Sequence, residues 1–162
     1  DPESLPTFRE RLEPHRARVA DWIDRPRPID MRYVPPDHAF EPGLKTDGQL
    51  VWMRADGTLP DDPVLHACIV TYASDMTLLD TTLLPFGLDW DTPGMQMASV
   101  DHAMWFHRDF RLDGWLLYSC DSPSTSGGRG LARGMIHDRA GRLLASTAQE
   151  GVIRVRRHDS SG

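Results

Sequence analysis

Apolar positions follow two different periods along this chain. Between Pro63 and Leu84, the residues Leu65, Cys68, Ile69, Tyr72, Met76, Leu79 and Leu83 recur at steps of three and four, which places them on one stripe of a helix. Asp61-Asp62-Pro63 supplies its start, an aspartate as N-cap and a proline at the first helical position, where a missing N–H costs nothing. Pro85 and Gly87 end it. Beyond Gly87 the period becomes two. Met95 to His107, Trp115 to Ser122, Arg129 to His137 and Arg142 to Arg156 read as four strands in antiparallel sequence, with turns at Asp113-Gly114 and Ala140-Gly141. Ahead of the helix, Ile29 to Val34 and Gln49 to Ala55 are short, rich in β-branched or aromatic residues, and read as two further strands.

Strands, one long amphipathic helix and then an uninterrupted run of strands is an α+β order, in which the helix must bury its stripe against one face of a sheet. An antiparallel sheet curled around a central helix meets that demand. A parallel sheet is disfavoured, because no helix separates the last four strands. The N-terminal stretch is dense in proline and holds one amphipathic segment, Phe8 to Ile23, with Thr7 and Glu10 at capping-box spacing and Pro14 as a kink or break. The expected division is a connector with a helix at 1–28, one folded domain at 29–157 and a tail at 158–162.

Length supports one well-buried domain with an appendage, since 162 residues is little more than the usual ~100–150 of a single domain. Hydrophobic residues make up 40% and charged ones 26%, and no apolar run approaches the ~20 residues of a membrane span, so a soluble protein is expected. The first residues have neither a basic segment nor an apolar one of signal-peptide type, and the last lack a peroxisomal ending; the cytoplasm is the expected compartment. The two cysteines, Cys68 in the predicted helix and Cys120 in a predicted strand, read as reduced core thiols rather than a disulfide scaffold or a zinc site. A net charge of −6 argues against nucleic acid as a partner.

Several clusters invite chemistry that their spacing does not support. Ser126 to Gly134 is glycine-rich but matches neither a P-loop nor a dinucleotide fingerprint, which favours close backbone packing over phosphate binding. On a regular strand His102 and His107 point to opposite faces, as do Asp101 and His102, so they share no metal without a bulge. No Gly-x-Ser-x-Gly elbow and no cysteine beside a recognisable base is present. Asp75 is different, because on a helical wheel it sits at the edge of the apolar stripe, where partial desolvation would suit a general base or a water anchor. A plain rim carboxylate is the other reading. Gln149 shares the odd-numbered, more apolar face of the last strand with Leu143, Ala145, Thr147 and Ile153, so its amide needs partners, structural or otherwise. Ser99 by itself is an ordinary strand serine.

Taken together, Tyr72-Ala73-Ser74-Asp75, Ser99-Val100-Asp101-His102-Ala103-Met104-Trp105-Phe106-His107, Trp115-Leu116-Leu117-Tyr118 and Ala148-Gln149-Glu150-Gly151 resemble the acyl-CoA thioesterase II family in wording, order and spacing. The resemblance runs from the connector to about Arg154. It implies a hotdog fold, a curved antiparallel sheet wrapped around a long helix, present twice in family members. It also implies hydrolysis of fatty acyl-CoA to fatty acid and CoA without a cofactor or metal. The family's helix Asp, strand Thr or Ser and last-strand Gln fall on Asp75, Ser99 and Gln149, which would hold the attacking water. Position 99 is Ser where Thr is familiar, and either supplies a hydroxyl. Family members are roughly twice this length, so the resemblance implies a first hotdog beyond these residues, and the expected partners are that domain or a second copy of this chain in a homo-oligomer. CoA phosphates make Arg108, Arg129 and Arg133 conceivable contacts. An enoyl-CoA hydratase on the same scaffold would need a His just after Asp75, which the sequence lacks. A non-catalytic acyl-CoA-binding or assembly module is the alternative from outside enzymology.

Overall fold

The computed structural model describes residues 1–35 and 43–156; the expected tail lies outside them. Near the N-terminus, helix α1 (Phe8–Leu12) is closed by the capping box, with the Glu10 N–H donated to the Thr7 hydroxyl and the Thr7 N–H to the Glu10 carboxylate. A single 3-10 turn, Glu13–His15, carries Pro14 and breaks the segment as expected, and α2 (Arg16–Ile23) follows. Leu12, Val19 and Ile23 are buried, so this segment packs on the molecule by an apolar edge of its own.

Among the described residues, seven strands form one antiparallel sheet: β1 (Ile29–Tyr33), β2 (Gly48–Ala55), β3 (Met95–Ser99), β4 (Ala103–Phe106), β5 (Leu116–Ser126), β6 (Arg129–His137) and β7 (Leu143–Val155). Their order is β1-β2-β5-β6-β7-β3, with β4 also on β7. The sheet curls around α3 (Pro63–Asp75), whose first N–H groups, on Val64 and Leu65, are donated to the Asp62 carboxylate. Core side chains alternate from β1, β2, β5, β6 and β7 against Val70 and Ala73 of the helix. This is the α+β arrangement that the chain's periods predict.

Four expectations need correction. First, the helix does not run on to Leu84: α3 ends at Asp75, and after a turn a 3-10 helix spans Leu79–Phe86. Pro85 cannot donate to the carbonyl four residues back, and the Thr82 hydroxyl donates to the Leu79 carbonyl instead of leaving it to the helix. The Gln49 amide from β2 fixes the break by donating to the Thr77 carbonyl at 3.0 Å and the Thr77 hydroxyl at 2.9 Å.

Second, the buried line of α3 is His66, Val70, Ala73 and Ser74, while Val64, Cys68 and Tyr72 are exposed. A helix apolar nearly all round gives periodicity no way to choose its inner face. Third, Met95 to His107 is two strands rather than one. Ser99 pairs with Gly151 and Ala103 with Ala148, so three residues of one strand oppose two of β7. Val100 and Asp101 both donate their N–H to the Glu150 carbonyl, the mark of a bulge. Fourth, β4 and β5 are not hairpin partners, since β4 lies on β7 and β5 on β2.

The glycine-rich stretch is structural. Gly127 and Gly128, at φ 61° and 76°, make the β5–β6 turn. At Gly134 a Cβ would lie 2.2 Å from the Tyr118 ring.

Candidate active site

Three elements bring the three expected residues together. The end of α3 places Asp75, the end of β3 places Ser99, and the middle of β7 places Gln149 on the strand's buried face, with no solvent exposure (0%). The Gln149 amide nitrogen lies 2.5 Å from Asp75 Oδ1 and 3.0 Å from Ser99 Oγ, donating one hydrogen to each. Since a carboxylate only accepts, it fixes which way the amide points.

Those two donations leave a defined remainder. Ser99 Oγ accepts from Gln149, so its own hydrogen is free to donate outward. Asp75 Oδ2 has no hydrogen-bond partner among the described residues and can accept. One donor and one acceptor, side by side on an exposed rim, is the pair that orients a water with a lone pair to spare. Gln149 Oε1 is buried without a partner among the described residues. Asp75 itself differs from expectation: its side chain is 56% exposed, at the end of the line of exposed helix residues formed by Val64, Cys68 and Tyr72, so this chain alone does not desolvate it.

Two residues that the sequence reading set aside belong to the same neighbourhood. The bulge turns His102 to the side that Ser99 faces, three positions after it, where period two would forbid it. Its Nε2 is 2.9 Å from Ser74 Oγ and its Nδ1 is 3.6 Å from Asp75 Oδ1. Asp101 secures the bulge by accepting the Glu150 N–H at 2.7 Å. The signal was the pattern itself, polar residues at 99, 101 and 102, which no regular strand can bury on one side. His107 is on the other face with Ser146, at 2.9 Å. The arginines considered for phosphate contacts are engaged: Arg129 with Glu150, Arg133 with Asp121, and Arg108 with the Leu143 carbonyl.

Beyond the break in the helix, Asp80 lines a cavity of about 100 Å³ between α1 and the 3-10 helix, with Leu12, Met76 and Leu84. Desolvation there pushes its carboxyl up to about 7; Arg11 pulls it down and Asp89 adds to the rise. A carboxyl with a raised folded value binds its proton more tightly when folded, so stability falls as pH rises from the ordinary carboxylate range of ~4 towards 7. Asp80→Asn should remove that slope. Thermal melts at pH 5 and pH 8 should bracket a wild-type loss that the variant lacks; an equal loss in both would put the titrating group elsewhere.

The fold and these residues define a hotdog domain with a carboxylate, hydroxyl and amide cluster at the end of its helix. The family model for acyl-CoA thioesterases matches residues 25–152, and the chain belongs to that family. Human acyl-coenzyme A thioesterase 8 is 41% identical over 130 residues, 80% of this chain and 40% of that protein. An acyl-CoA thioesterase II structure from Mycobacterium marinum superposes with a TM-score of 0.73 at 40% identity, covering 96% of this chain and 54% of that one. A hotdog-fold protein from Alicyclobacillus acidocaldarius, 18% identical with a TM-score of 0.65 over 97% of this chain and 53% of its own, is alike in fold alone. The chain therefore spans about half the length of the relatives it matches, or less.

Proposed function

We propose that this chain is the second hotdog of a two-hotdog thioesterase that hydrolyses fatty acyl-CoA to fatty acid and CoA, with a water held by Asp75, Ser99 and Gln149. The observation that carries this reading is the convergence of the Gln149 amide on Asp75 and Ser99, in a chain of the acyl-CoA thioesterase family. In the reaction the Ser99 hydroxyl donates to the water oxygen and Asp75 accepts one of its hydrogens. The oxygen attacks the thioester carbonyl, its proton passes to Asp75, and the C–S bond breaks with its electron pair on sulfur. Gln149 acts by holding the other two in register. A groove of about 660 Å³ is lined by Ala20, Trp22, Trp90 and Met76, the residue after Asp75, with Arg18 and Asp80 also on it, and its apolar side is a course for an acyl chain. Two unpaired cysteines fit a reducing cytoplasm.

The test is thiol release from decanoyl-CoA and palmitoyl-CoA by this chain, alone and mixed with an N-terminal hotdog domain of the family. Turnover in at least one wild-type mixture is expected; none in any, with the fold intact, would favour the binding or assembly module. The exposure of Asp75 is what speaks for that second reading, since a general base working in a closed site would be drier.

The same exposure points to a partner. Val64 and Tyr72 on α3 and Trp105 and Phe106 on β4 leave apolar surface and a sheet edge uncovered, as a hotdog without its mate would. Sedimentation at micromolar concentration should find the chain associated with itself or with the added domain. A stable monomer in both cases would overturn this.

A further inference from the structure

His102 is outside the three residues above, yet it faces their carboxylate. Ser74 Oγ lies 2.8 Å from the Thr71 carbonyl and 2.9 Å from His102 Nε2; with its one hydrogen on the carbonyl, it accepts from the ring. In that arrangement Nε2 carries the ring hydrogen. In the neutral ring that makes Nδ1 the acceptor, and this Nδ1 is buried, with no hydrogen-bond partner among the described residues, 3.6 Å from Asp75 Oδ1. A nitrogen lone pair facing a carboxylate oxygen repels it. The contact becomes attractive when one proton lies between them. In the other tautomer the Ser74 hydroxyl turns to donate to Nε2, and the ring hydrogen on Nδ1 itself lies towards the carboxylate.

Building on the proposed hydrolysis, we propose that His102 is a positioning residue that shares one proton with Asp75. Before attack the pair is a carboxylate beside a neutral ring. The water's O–H bond breaks as its oxygen bonds to the thioester carbon, and the proton arrives on Asp75. It is then held between Asp75 Oδ1 and His102 Nδ1, and leaves to the CoA thiolate or to solvent, restoring the starting pair. Gln149 holds the same Oδ1 from β7, so the oxygen without a partner, Oδ2, remains the one that meets water. The other titratable groups nearby are tied elsewhere: Asp101, on the bulge itself, accepts the Glu150 N–H, Glu150, on β7, is paired with Arg129, and the Tyr118 hydroxyl, from β5, lies 2.8 Å from Thr147 Oγ1 and 3.4 Å from the Ser74 carbonyl.

Asparagine and glutamine separate the two ring nitrogens, because an Asn amide reaches the place of Nδ1 and a Gln amide that of Nε2. Neither binds a proton there. In whichever form turns over in the thiol assay, His102→Gln and His102→Asn should both lower kcat by ~10-fold or more with KM within ~3-fold. In both, the acid limb of the kcat/KM profile should move, because the proton taken from the water has lost its second acceptor. Recovery by His102→Asn would mean that Nδ1 only donates a hydrogen bond, and an unmoved acid limb would mean that His102 is merely structural; either overturns the proposal. A measurement on the unaltered ring guards against misfolded variants. The His102 imidazole ¹⁵N chemical shifts should change in Asp75→Asn, whose side chain no longer shares a proton with Nδ1; no change rejects the pairing. Wild-type turnover in Asp75→Asn would instead defeat the proposed hydrolysis, whatever His102 does.

Discussion

Replacing Asp75 with Asn is expected to cut acyl-CoA turnover by ~10²–10⁴-fold and to leave the fold as it is. The substitution keeps the shape at the end of α3 and keeps a carbonyl oxygen for the Gln149 amide. What it removes is the charge and the basicity. With more than half of the side chain open to solvent, no buried ion pair is broken, and the stability change should stay within about 0.5 kcal/mol. Structure and chemistry thus separate at this residue. A circular-dichroism melt shows whether the fold persists, and thiol release shows whether the water is still activated. An Asp75 that is merely structural predicts the reverse outcome, lower stability with turnover retained. Because an interaction made only with the attacking water acts on the transition state, the loss should fall on kcat, with KM nearly unchanged.

How far the sequence reaches can be judged at single residues. Gln149 was legible because alternation along β7 is regular: 145, 147, 149 and 151 are all buried, as the odd-numbered face of an apolar strand requires. Asp62-Pro63, the Thr7 capping box and the break at Pro14 were legible for a similar reason, each being decided by neighbours within four residues. Ser99 was not. Its orientation depends on the bulge at Val100 to His102, and that bulge is fixed by β7, some fifty residues later. The same long-range pairing hid His102, which a regular strand would have turned away from Asp75. Helix α3 failed differently, since apolar residues lie on more than one of its faces and the period cannot say which is inward. Its exposed line of Val64, Cys68 and Tyr72 is apolar for a reason outside this chain's own core.

Gln149→Leu should separate activity from stability more sharply still. The amide nitrogen ties Asp75 to Ser99, and without it the carboxylate and hydroxyl lose their common anchor. Misplacement of reacting groups by about an ångström can cost on the order of 10²-fold, so a fall of that size in kcat is expected. The fold should not suffer. Leucine has nearly the volume of glutamine, and the amide's Oε1 is buried without a partner among the described residues, a desolvation cost that an apolar side chain removes. Asp75 and Ser99 are both exposed and can be hydrated once the amide is gone. The melting temperature should therefore hold or rise, by the equivalent of ~1 kcal/mol. Two companions locate the cause. Gln149→Ala leaves a cavity and should lose both activity and stability, and Gln149→Glu sets a second carboxylate against Asp75 and should be the least stable of the three at neutral pH. Full turnover in Gln149→Leu would mean that the water is held without the amide, leaving Gln149 as a packing residue and Asp75 with Ser99 alone.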